Sequence, residues 1–439
     1  MTTYGNPSRI SVDVEGGGIG ALNLDTTQKA VLFGAGDPSS GSAQTNDPTQ
    51  VSGPGELEST FGADTDLAEL FRGAAANGVA YSMLYGVMPA KQSVTAEAIA
   101  GGSGTLGNAP IIEDAAEITV QNTTAGQEAT PVWRYESPPE TGDLADDEVA
   151  VNPFSGEVEA GDTDEYEVDY KYYQWQDAFD AASGVIQEQE EGLWYVRSEA
   201  ESIISDAIAT AVPLRENQWK MVRVAGDAQP NATATDGSAS IDVDAYADNL
   251  DNDALFVTGP VRQADSTHPV SGEIAGVFGG VDTDESVIGQ TLTGVGELTQ
   301  TLNVPDQEAL EDEGVIPLSN AGAVSIEGNL STSTATGWTR SYFARRLADR
   351  LILAARAIGR GTRGEIGNDS TTRLIESRLG DEIVDLVDDG VLEPNSRAET
   401  NWFVNAVEDD ANPRKLNVSF GFTPEGIVDT IEFSATINT

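Results

Sequence analysis

What most constrains this chain is an alternation that begins near Lys29, in which apolar runs too short for helices are separated by longer segments of helical spacing. "AVLFGAG" reads as a strand buried on both faces, and "SGPGELESTFG" as a turn leading into a short helix. "DLAELFRGAAANG" is a second helix stopped at Gly78, and "VAYSMLYGVMP" is another strand. The alternation resumes later: "QDAFDAASGVI" and "SEAESIISDAIATAV" have helical spacing, while "GLWYV", "WKMVRVA" and "ALFVTG" read as strands. Parallel neighbours need a crossover, which a helix supplies, so this order predicts an α/β fold with a mostly parallel sheet covered by helices. At 439 residues the chain has room for two or three domains.

Two stretches break the pattern. Residues 101–173 carry short runs such as "EITVQN", "VWRYES" and "EYEVDYKYY", divided by Pro, Gly and acid-rich turns, which predicts an inserted β-rich surface domain. The α/β domain is then discontinuous, covering residues 25–100 plus 174–330. Residues 1–24 read as an arm: "RISVDV" alternates like a short strand and "EGGGIG" supplies a joint. A strand with no neighbour in sequence must pair at a distance or with another chain.

Residues 331–439 form a separate C-terminal unit. The stretch from Thr339 to Arg363 holds seven arginines and one acid. On a helical wheel Phe343, Leu347, Leu351, Ala354 and Ile358 share one face. Arg345, Arg346, Arg350, Arg356, Arg360 and Arg363 share the other, with Asp349 able to offset only Arg345 and Arg346 locally. "TTRLIESRLGDEIVDLVDDG" is a second helix with an apolar stripe of Leu379, Ile383, Leu386 and Val387, ending at Gly390. Two strands, "KLNVSFGF" and "GIVDTIEFSATI", close the chain around a Thr-Pro-Glu-Gly turn.

Charge sets the environment. Against 73 acidic residues stand 23 basic ones, five of them lysine, for a net charge of −50. Such self-repulsion suits a salt-loving organism or its virus, because near 1 M salt the screening length falls to about 3 Å. Cysteine is absent, which excludes disulfides and thiolate chemistry. The N-terminus shows no basic region followed by an apolar run, and no apolar run approaches the ~20 residues needed to span a bilayer. The expectation is a soluble protein made in the cytoplasm.

Catalytic signatures are weak. "LFGAGDPSSG" lacks the rest of a phosphate-binding fingerprint, His268 has no second histidine or nucleophile motif, and "DTDEYEVD" and "DVDAYADNLDND" lack the Gly and Glu of a calcium loop. No enzyme activity and no cofactor is expected. Three uses of the arginine face stay open: pairing with the chain's own acidic second helix, an acidic protein partner, and, least suited to so acidic a chain, nucleic acid.

Several stretches taken in order resemble the sheath proteins of contractile tails, as in myoviruses and related injection machines. "AVLFGAGDPSSG", "TQVSGPGELESTFG" and "AAANGVAYSMLYGV" look like the family's opening elements. "HPVSGEIAGVFGGVDTDESVIG" followed by a helix such as "GVGELTQTLN" is similar to its middle, and "GAVSIEGNLSTSTATGWTRSYFARRLADRL" with "LIESRLGDEIVDLVDDGVL" to its C-terminal domain. The resemblance covers residues 25–100 and 175–439. It implies a virion tail component assembled in the host cytoplasm: a homo-oligomer of stacked hexameric rings around an inner tube, with baseplate and tail-terminator proteins at its ends. It further implies no contact with nucleic acid and no membrane insertion. The helix bearing Arg345, Arg346, Arg350, Arg356, Arg360 and Arg363 maps to the tube-proximal domain and would grip an acidic tube protein. Terminal strands would be exchanged between subunits: Arg9, Ile10, Ser11, Val12, Asp13 and Val14 at one end, and Val428, Asp429, Thr430, Ile431, Glu432 and Phe433 at the other. Joints at Gly16–Gly20 and Pro424–Gly426 would let rings rotate. The competing reading is a surface-layer or adhesion module of a halophile, which would call for an export signal.

Overall fold

The computed structural model describes residues 10–14, 28–229 and 250–424, apart from 136, 189, 265, 267, 283–284, 313, 321, 335–339, 362–368, 397–399 and 409–415. The chain opens with β1 (Ile10–Val14) and β2 (Lys29–Phe33), then α1 (Leu57–Phe61), α2 (Asp66–Ala76) and β3 (Leu84–Val87). Seven strands follow without an intervening α-helix: β4 (Ala90–Ile99), β5 (Ser103–Thr105), β6 (Ile118–Asn122), β7 (Gln127–Trp133), β8 (Glu148–Val151), β9 (Glu157–Ala160) and β10 (Tyr166–Gln174). Alternation returns with α3 (Trp175–Ala182), β11 (Glu191–Val196), α4 (Glu201–Gln218), β12 (Met221–Asp227), β13 (Leu255–Gly259), α5 (Ser271–Gly280), α6 (Val304–Asp312), β14 (Val315–Ser319) and β15 (Ser325–Ile326). The C-terminal part holds α7 (Tyr342–Gly361), α8 (Asp369–Asp388), β16 (Trp402–Glu408) and β17 (Leu416–Phe422).

The main sheet has the order β15-β14-β13-β12-β11-β2-β3 and is parallel except for the β14–β15 pair. Every residue of β11, β12 and β13 is buried, which is why these strands read as continuous apolar runs. Side chains alternate between two cores. Ala30 and Leu32 of β2 join α1, α2 and α5 on one face; Val31 and Phe33 join α3, α4 and α6 on the other. Helices α2 and α5 approach closely through small residues: a Cβ on Gly276 would lie 2.6 Å from Asn77 Cβ and 2.7 Å from the Ala74 carbonyl oxygen.

The inserted β unit is a second sheet, β4-β10-β6-β7-β8-β9-β5, with a core of its own centred on Val120, Val149, Val158 and Val168. It begins at Ala90 and ends at Gln174, because β4 pairs along β10 from Ala90↔Gln174 to Ile99↔Tyr166. The expected boundary at residue 101 misses β4, whose side chains are largely exposed on both faces and leave little period-two signal.

The helix expected over "GVGELTQTLN" is absent. That stretch is irregular, with Gly294 at φ +88° and Leu298 bridged to Gln263, and α6 starts only at Val304. There the Asp306 amide donates to Asn303 Oδ1 and the Asn303 amide to Asp306 Oδ2, both at 3.1 Å, a reciprocal cap that fixes the start. The third sheet, β1-β17-β16, includes β16, a strand the sequence reading passed over. The strand "GIVDTIEFSATI" falls outside the described residues apart from its approach through Pro424.

Candidate assembly interface

Helix α7 forms where its spacing requires. Ser341 precedes it and its Oγ accepts from the Ala344 amide at 3.0 Å, supplying an N-terminal cap. The apolar stripe Phe343, Leu347, Leu351, Ala354 and Ile358 packs with Ile375, Leu379, Ile383 and Leu386 of α8 and with Val418, Phe420 and Phe422 of β17. Val387 is only partly buried beside them, and Gly390, at φ +77°, turns the chain out of α8.

The polar face is not a free cationic surface. Asp349 has no solvent exposure and gathers three guanidinium groups: Arg215 at 2.7 Å, Arg223 at 3.0 Å, and Arg345 at 2.7 Å. Arg223, equally buried, also pairs with Glu191 at 3.0 Å and lies over the Tyr342 ring at 5.5 Å. Arg345 reaches on to Asp253 at 2.6 Å. Burial by itself pushes the Asp349 carboxyl up, but the charges of Arg215, Arg345 and Arg223 outweigh it and hold the group well below the usual carboxylate range. Contributions from α4, β11, β12 and α7 thus make one ionic junction that docks the C-terminal unit on the α/β sheet.

The remaining arginines divide. Arg346 is 3% exposed and donates to the carbonyl oxygens of Val281 at 2.6 Å and Asp282 at 2.9 Å, so it points into the α/β domain. Arg356 stacks on Trp219 at 4.1 Å and pairs with Glu188 at 2.8 Å. Arg350 makes no ion pair with the described residues, although its charge lowers the Glu382 carboxyl of α8, which burial raises overall. The side chain of Arg360 and the whole of Arg363 lie outside the described residues. Sequence reasoning expected Asp349 to offset Arg345 and Arg346. It serves Arg345 together with Arg215 and Arg223, and Arg346 turns elsewhere. The missed partners had one visible signal: Arg223 is a lone cation inside the apolar run "MVRVA".

At the other candidate surface, β1 runs antiparallel to β17 with Ile10↔Phe420, Ser11↔Ser419 and Val14↔Leu416 in register. β17 also pairs with β16, whose outer edge has no strand neighbour among the described residues; Val407 on it is 47% exposed. Arg9 and residues 428–433 are outside the described residues.

The weaker chemical candidates resolve into local structure. In "LFGAGDPSSG", Asp37 accepts from the Ser39 amide at 2.9 Å and from the Ser39 and Ser40 hydroxyls at 2.6 and 2.7 Å, so an incoming phosphate would meet a carboxylate. These bonds, that from Ser39 foremost, lower its carboxyl to about 2. His268 Nδ1 lies 3.3 Å from the Arg197 guanidinium and accepts from it. Among the described residues no group of acids and histidine is arranged to hold a metal ion, and no helix is long and apolar enough to cross a membrane.

No family model and no curated protein matches the chain. Solved structures do. A chain of the six-fold symmetrised baseplate of the anti-feeding prophage superimposes with a TM-score of 0.58 at 14% identity, covering 100% of this chain and 99% of that one. The helical sheath of the same prophage in its contracted state gives 0.55 at 14% identity over 100% and 98%. The crystallised sheath tail protein of Desulfitobacterium hafniense gives 0.52 at 14% identity over 88% and 91%. The chain therefore has the fold of contractile-sheath proteins.

Proposed function

We propose that this protein is a structural, non-enzymatic subunit of a contractile sheath, stacked in six-membered rings around an inner tube and driving that tube forward on contraction. The observation that carries the reading is the end-to-end likeness to a contracted helical sheath, which takes in the terminal sheet as well as the α/β domain. Strand β1 is joined to β2 through the glycine-rich residues 15–20 and sits on its own β17. In an assembly the same edge of β17 would take the arm of a neighbouring subunit with the same hydrogen bonds, and residues 428–433 would be passed on likewise. Tube contact is assigned to the arginine face of α7; Arg345, Arg346 and Arg356 are engaged within the chain, so among the described arginines of that face Arg350 is the one assigned to the tube. The charge of −50 fits a particle working in concentrated salt, that of a haloarchaeal virus or cellular injection device.

Ser11 and Ser419 are direct partners across β1 and β17 in a chain without cysteine, and antiparallel Cα separations of about 4.5–5.5 Å suit a disulfide. Oxidising the Ser11→Cys/Ser419→Cys variant after assembly at molar salt should give ladders of covalent oligomers on a denaturing gel. If the assembled material yields only internally cross-linked monomers, the arm is a private element of each subunit and the exchanged mesh is wrong.

A further inference from the structure

The strand order of the main sheet reverses at β2: β3 lies on one side and β11 on the other, while the helices that follow β2 and β11 cover opposite faces. Loops leaving these two strands must part, and open α/β sheets bind ligands in the crevice that results at the carboxyl ends. Here the inserted β unit roofs that crevice. The cleft has a volume of about 520 Å³, within the usual range of ligand pockets. Its floor includes Arg197, Glu199, Asp227 and Arg262; Ile111, Phe154, Tyr173 and Trp175 form much of its roof.

Its charges do not balance. Arg197 is taken by Asp66 at 2.8 Å, and Arg262 by Glu199 at 2.9 Å and Glu113 at 3.2 Å. Among the described residues Asp227, 1% exposed, hydrogen-bonds to two hydroxyls and to no cation: Tyr195 donates to Oδ1 at 2.7 Å and Ser271 to Oδ2 at 2.8 Å. Four carboxyl groups thus face two guanidinium groups along one cleft that is open to solvent on one side. Burial pushes the Asp227 carboxyl up to about 7, which the two hydroxyl bonds hold down only in part. An anion would meet four carboxyl groups, with both guanidinium groups already paired. A bare metal ion would lose its water against an apolar roof. On the roof side Tyr173 and Trp175 stand edge to face, 6.0 Å apart at 72°, forming an aromatic corner, with Lys91 already over one face of the Tyr173 ring at 5.9 Å and Phe179 stacked on one face of Trp175.

We propose that this cleft binds a small organic cation, an ammonium group with compact apolar substituents, its charge set against Asp227 and Glu199 and its substituents against Phe154, Tyr173 and Trp175. Ring faces attract such cations, and aromatic corners beside carboxylates are suited to quaternary ammonium groups. The inference stands independently of the sheath reading.

Choline is the probe, and 3,3-dimethyl-1-butanol, in which carbon replaces the charged nitrogen, is its neutral counterpart. Thermal unfolding and calorimetric titration of the full chain are run in molar potassium chloride, with ionic strength held constant. Choline should bind saturably and at least tenfold more tightly than the neutral alcohol, and Asp227→Asn should remove that preference. No saturable binding of choline by the wild-type protein, or equal binding of the two probes, overturns the proposal. So does an unchanged preference in a folded Asp227→Asn protein.

Discussion

Replacing Asp349 by Asn is the sharpest perturbation of the ionic junction. The carboxylate accepts from Arg215, Arg223 and Arg345 with no solvent exposure, and the remaining acids, Glu191 and Asp253, already serve Arg223 and Arg345. Removing one partner from a buried ion pair costs about 3–5 kcal/mol, because the partner charges stay buried without compensation. Against a typical total of about 5–15 kcal/mol, the C-terminal unit should undock or the whole chain unfold at markedly lower urea. Urea unfolding in molar potassium chloride, followed by tryptophan fluorescence, measures the loss. Glu188→Gln, which breaks the exposed pair with Arg356, is the control and should cost less than about 1 kcal/mol. The Asp349→Asn loss should also change little with salt, since solvent ions do not reach the site. Because the folded carboxyl lies below its unfolded range, the contribution is present at neutral pH and fades only as pH falls through the native value. An Asp349→Asn loss no larger than the control's would refute the junction as the element that docks α7.

Three further outcomes are expected. Gly276→Ala should destabilise by about 1–3 kcal/mol in thermal unfolding, since its Cβ would press on Asn77 and the Ala74 carbonyl at the α2–α5 contact. Asp227 has the opposite pH sign from Asp349: its native carboxyl is raised to about 7, so its stabilising share is complete below about pH 4 and is lost as pH rises toward 7. Relative to Asp227→Asn, the wild-type protein should therefore lose on the order of 4 kcal/mol over that interval, as read from paired unfolding curves. Dialysis from molar to dilute salt should unfold the wild-type chain as judged by circular dichroism, because the self-repulsion of a −50 charge is then unscreened.

The α/β core was legible because β11, β12 and β13 are buried on both faces and written as unbroken apolar runs. The amphipathy of α7 was legible too, down to the five residues of its apolar stripe. What its arginines touch was not. Helical spacing reports which residues share a face, while Asp349 meets Arg215 and Arg223 across separations of 134 and 126 residues. The same limit hid the cleft, whose floor and roof come from strand ends, loops and the start of α3 that only the strand-order reversal and the insertion bring together. β4 escaped because exposed strands carry little alternation. β16 did carry a signal: "WFVNAVE" mixes aromatic and β-branched residues in the manner of a strand.

The most direct test of the central claim is negative-stain electron microscopy of the purified protein at molar salt, alone and co-expressed with its candidate tube protein. The account predicts hollow, striated cylinders built of stacked six-membered rings. Dispersed monomers or small closed oligomers under both conditions would contradict it.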